Sequence, residues 1–134
     1  MDGGAAINHA YLEPLSPATG AARFSAPVTE FVTFYLPPSI SSDEKTNFHK
    51  IMSDFGKVVR QHAKWFRGMS CGWIVEEVEH PSVGTGFGYA AALGWDSVGA
   101  HMAFRETQEF KDAIGQVRSG SKGAVMYHVK FREV

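Results

Sequence analysis

The sequence predicts an α+β domain of ferredoxin-like arrangement, a four-stranded antiparallel sheet with helices on one face. Three observations predict it. Four stretches rich in β-branched and aromatic residues are bounded by breaks containing Gly, Pro and Ser, the mark of strands. Between the first and second stretches, and between the third and fourth, apolar residues recur at helical spacing. Only a short loop separates the second stretch from the third, so the order reads β-α-β-β-α-β.

Residues 1–27 are rich in Ala, Gly, Ser and Pro without periodicity, and read as an N-terminal arm outside the core. Tyr11, Leu12 and Leu15 are its candidate anchors. The domain itself is expected over residues 28–134 and opens on "VTEFVTFYL", Val28 to Leu36, a strand. "PPSISS" breaks the chain, and Ser41 with Glu44 three residues on is a capping-box signature that starts a helix. Phe48, Ile51, Met52, Phe55, Val59 and Phe66 then form one apolar stripe. Arg67 and Gly68 end that segment.

"MSCGWIVEEVEH", Met69 to His80, reads as the second strand and "PSVGTG" as a hairpin-like loop. "FGYAAALGW", Phe87 to Trp95, is the third strand, more apolar and so more central. A short helix is expected from about Ser97 to Phe104, with Val98, Met102 and Phe104 turned inwards beside His101. A further helix begins near Thr107 and carries Phe110, Ala113, Ile114 and Val117. "AVMYHVKF", Ala124 to Phe131, is the last strand. Helices on one face leave the other face of the sheet bare. Valines and aromatics alternate on both faces, so a homodimer that buries the second face is expected.

The 134 residues are one domain's worth, and a domain of that size buries roughly two-thirds of its unfolded surface. A net charge of −1 offers nothing to attract a nucleic-acid backbone. No apolar run approaches the roughly 18 residues of a membrane span. The N-terminus has neither a basic start nor an apolar core, so no secretory signal is expected. The single cysteine, Cys71, excludes an internal disulfide and reads as a buried small apolar residue. A cytoplasmic location is the simplest expectation. The six histidines show no HxxxH or HxH spacing, so neither a metal nor a bound cofactor is expected. "VGTGFGY" is no nucleotide loop, because Tyr89 stands where a glycine is needed and the run leads into a strand.

"VTEFVTFYLPP", "GYAAALGWDSVGAHMAF" and "MYHVKF", within residues 28–131, resemble the dimeric α+β barrel superfamily, nearest its antibiotic-biosynthesis-monooxygenase-like and stress-responsive branches. Gly94-Trp95-Asp96-Ser97-Val98 before a short helix is the most specific part. The resemblance implies a face-to-face dimer with a pocket between each sheet and its helices. The superfamily includes cofactor-free oxygenases, polyketide cyclases, haem-degrading enzymes and proteins of no known activity, so the resemblance implies a pocket and not a reaction. Similar cyclases carry a pocket His at the position of Glu30, and a Tyr and a His where this chain has Phe104 and Phe110. That helical acid/base pair is therefore missing here.

Glu30 shares its strand face with Val28, Val32 and Phe34, and a buried carboxylate there could act as a general base. The alternative is a solvated edge-strand carboxylate. His101 lies among apolar residues, either as a core histidine or as a pocket acid/base. Tyr89, in line with Ala91 and Leu93, could orient a carbonyl, with the small Ala90–Ala92 run leaving room. His128 faces either the pocket or the dimer interface, His62 near a helix end is favoured by the dipole, and His9, His49 and His80 read as peripheral. Val32 and Phe34, then Phe48, Met52 and Phe55, are expected to line the pocket, together with Trp73, Ala91, Leu93 and Phe104.

The function expected is a cofactor-independent enzyme on a hydrophobic, polyketide- or terpenoid-like small molecule. Its reaction would be acid/base cyclisation, isomerisation or elimination, with His101 or Glu30 as base. The alternatives are cofactor-free monooxygenation of a phenol or enol, and a non-enzymatic, stress-responsive dimeric binding protein.

Overall fold

The computed structural model describes residues 10–14, 26–80 and 84–130. The elements are β1 (Glu13–Pro14), β2 (Val28–Leu36), α1 (Ser42–His62), β3 (Phe66–Trp73), β4 (Val78–His80), β5 (Gly84–Trp95), α2 (Val98–Arg105), α3 (Gln108–Gly120) and β6 (Gly123–Val129). The main sheet has the order β1-β3-β5-β2-β6, with every pair antiparallel. Without β1, this is the ferredoxin-like order the sequence predicts.

α1 starts where the capping box places it. The Glu44 N–H donates to Ser41 Oγ at 3.1 Å, and the Ser41 N–H donates to Glu44 Oε1 at 3.0 Å. Such a cap contributes about 1 kcal/mol. The helix buries Phe48, Met52 and Val59 against the sheet. Phe66, expected on the same stripe, instead opens β3. Ala63 is extended and Trp65 takes a left-handed φ of 65°, which turns the chain before Phe66 is reached. The spacing from Val59 to Phe66 fits a helix only by coincidence.

Met69–His80 is likewise not one strand. β3 ends at Trp73, and β4 pairs separately with the start of β5, placing Val78 opposite Gly86. β5 therefore begins at Gly84, earlier than the expected Phe87. Part of the arm reaches the edge of the sheet. Glu13 pairs with Cys71 and Pro14 with Ser70. A Cβ at Gly72 would lie 2.1 Å from the Tyr11 carbonyl oxygen, so only glycine lets the arm approach this closely. Leu15 lies outside the described residues, as does Phe131 at the expected end of the last strand.

One face of the sheet carries the three helices. Val28, Val32, Phe34 and Leu36 of β2 point into that layer, with Met69 and Cys71 of β3 and Leu93 and Trp95 of β5. In α2 the inward residues are Ala100, His101 and Phe104. Val98, expected inside, is exposed and Met102 is only half-buried. His101 stacks on Trp95, and that contact sets the helix rotation by His101 rather than by Val98.

The opposite face is bare only in part. Val125 and Tyr127 of β6 are exposed there, with Phe31 stacked on Tyr127 at 5.7 Å. Thr29, Ser70 and Ala92 on the same face are fully buried, and Ile74 and Val78 lie against Gly88. Among the described residues no helix is long and apolar enough to cross a membrane.

Candidate functional site

A cavity of about 160 Å³ lies between the helix-bearing face of the sheet and all three helices. β2 contributes Glu30, Val32 and Phe34 to its lining. α1 supplies Met52, Phe55 and Val59, and β5 supplies Leu93 and Trp95. α2 adds His101, Phe104 and Arg105, and α3 adds Phe110, Ile114 and Arg118. Arg118, Ala124 and Met126 are exposed members of the lining and mark where the cavity reaches solvent.

The polar groups converge on one carboxylate. Glu30 and Trp95 are diagonal neighbours on adjacent strands, because Val28 pairs with Trp95 and Glu30 with Leu93. The Trp95 Nε1–H donates to Glu30 Oε1 at 3.1 Å. His101 Nε2 lies 3.3 Å from the same oxygen, and its ring stacks on the Trp95 indole with centroids 5.0 Å apart. Across the other edge of β2, Glu30 pairs with His128, whose Nε2 is 2.8 Å from His101 Nδ1. Two strand neighbours and one helix thus assemble a Glu30–His101–His128 row.

Burial sets the protonation states. It raises the Glu30 carboxyl from 4.5 to about 7, opposed in part by the Trp95 hydrogen bond and the Arg105 charge. It lowers His101 from 6.5 to about 4, helped by the charges of His128 and Arg105. His128 is lowered as well, by burial and by Arg105. At neutral pH His101 is therefore a neutral imidazole with one N–H. The carboxylate beside Nε2 favours the proton there, which leaves Nδ1 to accept from the His128 Nε2–H. Glu30 Oε1 then faces two N–H groups, while Oε2 has no hydrogen-bond partner among the described residues.

Several expected site residues sit elsewhere. Tyr89 shares the sheet face but is fully buried at its other end. Its hydroxyl donates to Cys71 Sγ at 2.7 Å and lies 2.7 Å from His49 Nδ1, and Phe48 and Trp73 pack on its ring. Tyr89, Phe48, Trp73 and Ala91 are absent from the cavity lining. His49, expected at the periphery, belongs to this second cluster. His128 reaches the site through His101 and not by lining the cavity. His62 sits 3.8 Å from Glu109 on the surface. The side chain of His80 and all of His9 lie outside the described residues.

Trp95, Arg105 and Arg118 belong to the cavity without having been expected as site residues. A helical-wheel signal existed for two of them. Arg105 follows His101 by four residues, and Arg118 follows Ile114 by four, so each lies on a cavity-facing stripe. Among the described residues no group of three His, Cys, Asp or Glu side chains could hold a metal ion.

No family model matches this sequence, and no curated protein matches it. Similarity appears among solved structures. A dimeric protein of unknown function and ferredoxin-like fold from Bacteroides fragilis is similar at 14% identity and a TM-score of 0.54, over 78% of this chain and 95% of that one. A protein from Arabidopsis thaliana is similar at 11% identity and a TM-score of 0.59, over 81% and 98%. SnoaB, a cofactor-independent oxygenase from Streptomyces nogalater, is similar at 11% identity and a TM-score of 0.56, over 81% and 97%. The sheet order, the helix layer and these likenesses together give the chain a ferredoxin-like fold.

Proposed function

We propose that this chain is a cofactor-independent acid/base enzyme that removes a proton from a small hydrophobic molecule, with Glu30 as the base. The observation that carries this reading is a carboxylate in an apolar cavity with a pKa near 7, one oxygen held by the Trp95 N–H and 3.3 Å from His101 Nε2. A base is most effective when its pKa lies near the working pH. His101, lowered to about 4, is neutral at neutral pH and a weak base. Its role is to orient Glu30, with His128 selecting its tautomer. Oε2 receives the substrate proton. The resulting enolate or phenolate then cyclises, isomerises or eliminates.

Cavity size restricts the substrate. A cavity of roughly 150 Å³ holds benzene, and drug-sized ligands fill about 300–1,000 Å³. The 160 Å³ here accepts a single ring or a short chain, and a larger polyketide- or terpenoid-like molecule would have to extend through the mouth.

The test is hydrogen–deuterium exchange at the benzylic methylene of phenylacetone in D2O. Wild type is expected to accelerate exchange with an apparent pKa near 7, and Glu30→Gln is expected to abolish the acceleration. Equal exchange by both proteins sinks the assignment of Glu30.

A second fate of the anion draws support from the shared fold with SnoaB, a cofactor-independent oxygenase. An activated methylene can react with O2 to give a carbonyl and water, one oxygen entering the product and the substrate supplying all four electrons. Oxygen uptake during the same assay separates this outcome from simple proton transfer. We further propose that a second copy of the chain covers Val125 and Tyr127, the exposed part of the sheet. The Bacteroides fragilis protein of this fold is dimeric. A monomer by ultracentrifugation at micromolar concentration would contradict it.

A further inference from the structure

Two arginines share the cavity with the base, and the proton-transfer chemistry uses neither. Arg105 is the last residue of α2 and Arg118 lies in the last turn of α3. Helix dipoles favour cations at both places. That accounts for a cation near each helix end, but not for the direction the side chains take. Both line the same apolar cavity and the groove outside it, which Lys111 and Glu106 complete. The groove thus carries three cationic side chains and one carboxylate. Among the described residues neither arginine has a carboxylate within ion-pair distance, and Arg105 rests its guanidinium over the Phe110 ring at 5.7 Å. The carboxylates of Glu106, Glu109 and Asp112 lie nearby in sequence yet pair with neither.

We propose that Arg105 and Arg118 form an anion site at the cavity mouth, and that the substrate is a small apolar carboxylic acid. Its apolar body lies in the cavity towards Glu30, and its carboxylate meets the two guanidiniums. Guanidinium is the side chain best suited to this, because its planar fork matches a carboxylate bidentately and is less costly to desolvate than an ammonium. The arrangement also orients the substrate. The charged end is held at the solvent side, so the reacting carbon is carried inwards. This inference rests on the reading of the cavity as a substrate site.

The experiment compares 3-phenylpropanoate with uncharged 3-phenylpropanamide by isothermal titration calorimetry at about pH 6, where Glu30 is protonated. Wild type is expected to bind the acid at least about tenfold more tightly than the amide, the order a charge-assisted hydrogen bond contributes. The Arg105→Gln, Arg118→Gln double variant is expected to lose this preference and still bind the amide, which shows its cavity intact. Glu30→Gln is expected to keep the preference. Equal binding of acid and amide by wild type, no binding of either, or a preference that survives in the double variant overturns the anion site. Deuterium exchange of phenylacetone, which has no charge, reads the Glu30 assignment independently, so either idea can fail alone.

Discussion

Trp95 donates its indole N–H to Glu30 Oε1 across 65 residues of sequence, and its ring stacks on His101. One side chain thus binds the carboxylate and positions the imidazole beside it. The sheet register brings Trp95 and Glu30 together, and α2 returns His101 to them.

Opposed pKa shifts make a specific pH signature. Glu30 is raised from 4.5 to about 7, so its contribution to stability is present below 4.5 and is lost as pH rises through 7. His101 is lowered from 6.5 to about 4, so its contribution is present above 6.5 and is lost as pH falls through 4. Each amounts to about 3 kcal/mol at 1.36 kcal/mol per unit. The windows overlap between 4.5 and 6.5 with opposite slopes, so these two groups give wild type a flat profile there. Urea denaturation of Glu30→Gln is expected to show a gain over wild type of about 3 kcal/mol between about pH 4.5 and 8. His101→Gln is expected to lose the flat stretch and to gain stability as pH falls from about 7 to 4.5, because the Glu30 slope is then unopposed. Parallel profiles for all three proteins would show that neither group is shifted.

Trp95→Phe removes a donor that stabilises the charged carboxylate. Hydrogen bonds to charged groups contribute about 1.5–3 kcal/mol, so the Glu30 pKa is expected to rise by roughly a further unit. Carbon-13 NMR of the Glu side chains measures it. An unchanged titration would remove Trp95 from the site.

Ser70 Oγ is buried without a hydrogen-bond partner among the described residues. Deleting an unsatisfied hydroxyl removes a desolvation cost, so Ser70→Ala is expected to be neutral or stabilising by about 1 kcal/mol in chemical denaturation. A loss of stability would reveal a partner for the hydroxyl.

Tyr89→Phe removes the hydroxyl held between Cys71 and His49. The expected cost is about 1–2 kcal/mol of stability, with the rate of phenylacetone exchange unchanged because Tyr89 lies outside the cavity. A slowed exchange would bring Tyr89 back into the chemistry.

The local signals that were legible are those carried by adjacent residues. Ser41 and Glu44 marked the start of α1, the alternation through Val28, Val32 and Phe34 marked the inner face of β2, and Glu30 on that face marked a carboxylate in apolar company. Phe66 misled, because seven residues from Val59 is helical spacing whether or not the helix continues, and only the turn at Trp65 ends it. Val98 misled because four apolar residues around His101 leave the rotation of a two-turn helix open.

The sequence by itself determined the fold class, the order of the four main strands and their helices, and the inward turn of His101, because periodicity and caps are local properties. Only the tertiary structure decided what those elements bring together. Strand register placed His128 beside Glu30 and Trp95 diagonal to it, and set Tyr89 at the far end of the same face. Burial against those neighbours then moved Glu30 towards 7 and His101 towards 4, which sets a carboxyl that titrates near neutral pH beside a neutral imidazole. Neither effect has a sequence signature, because desolvation and charge act between residues that only folding brings together.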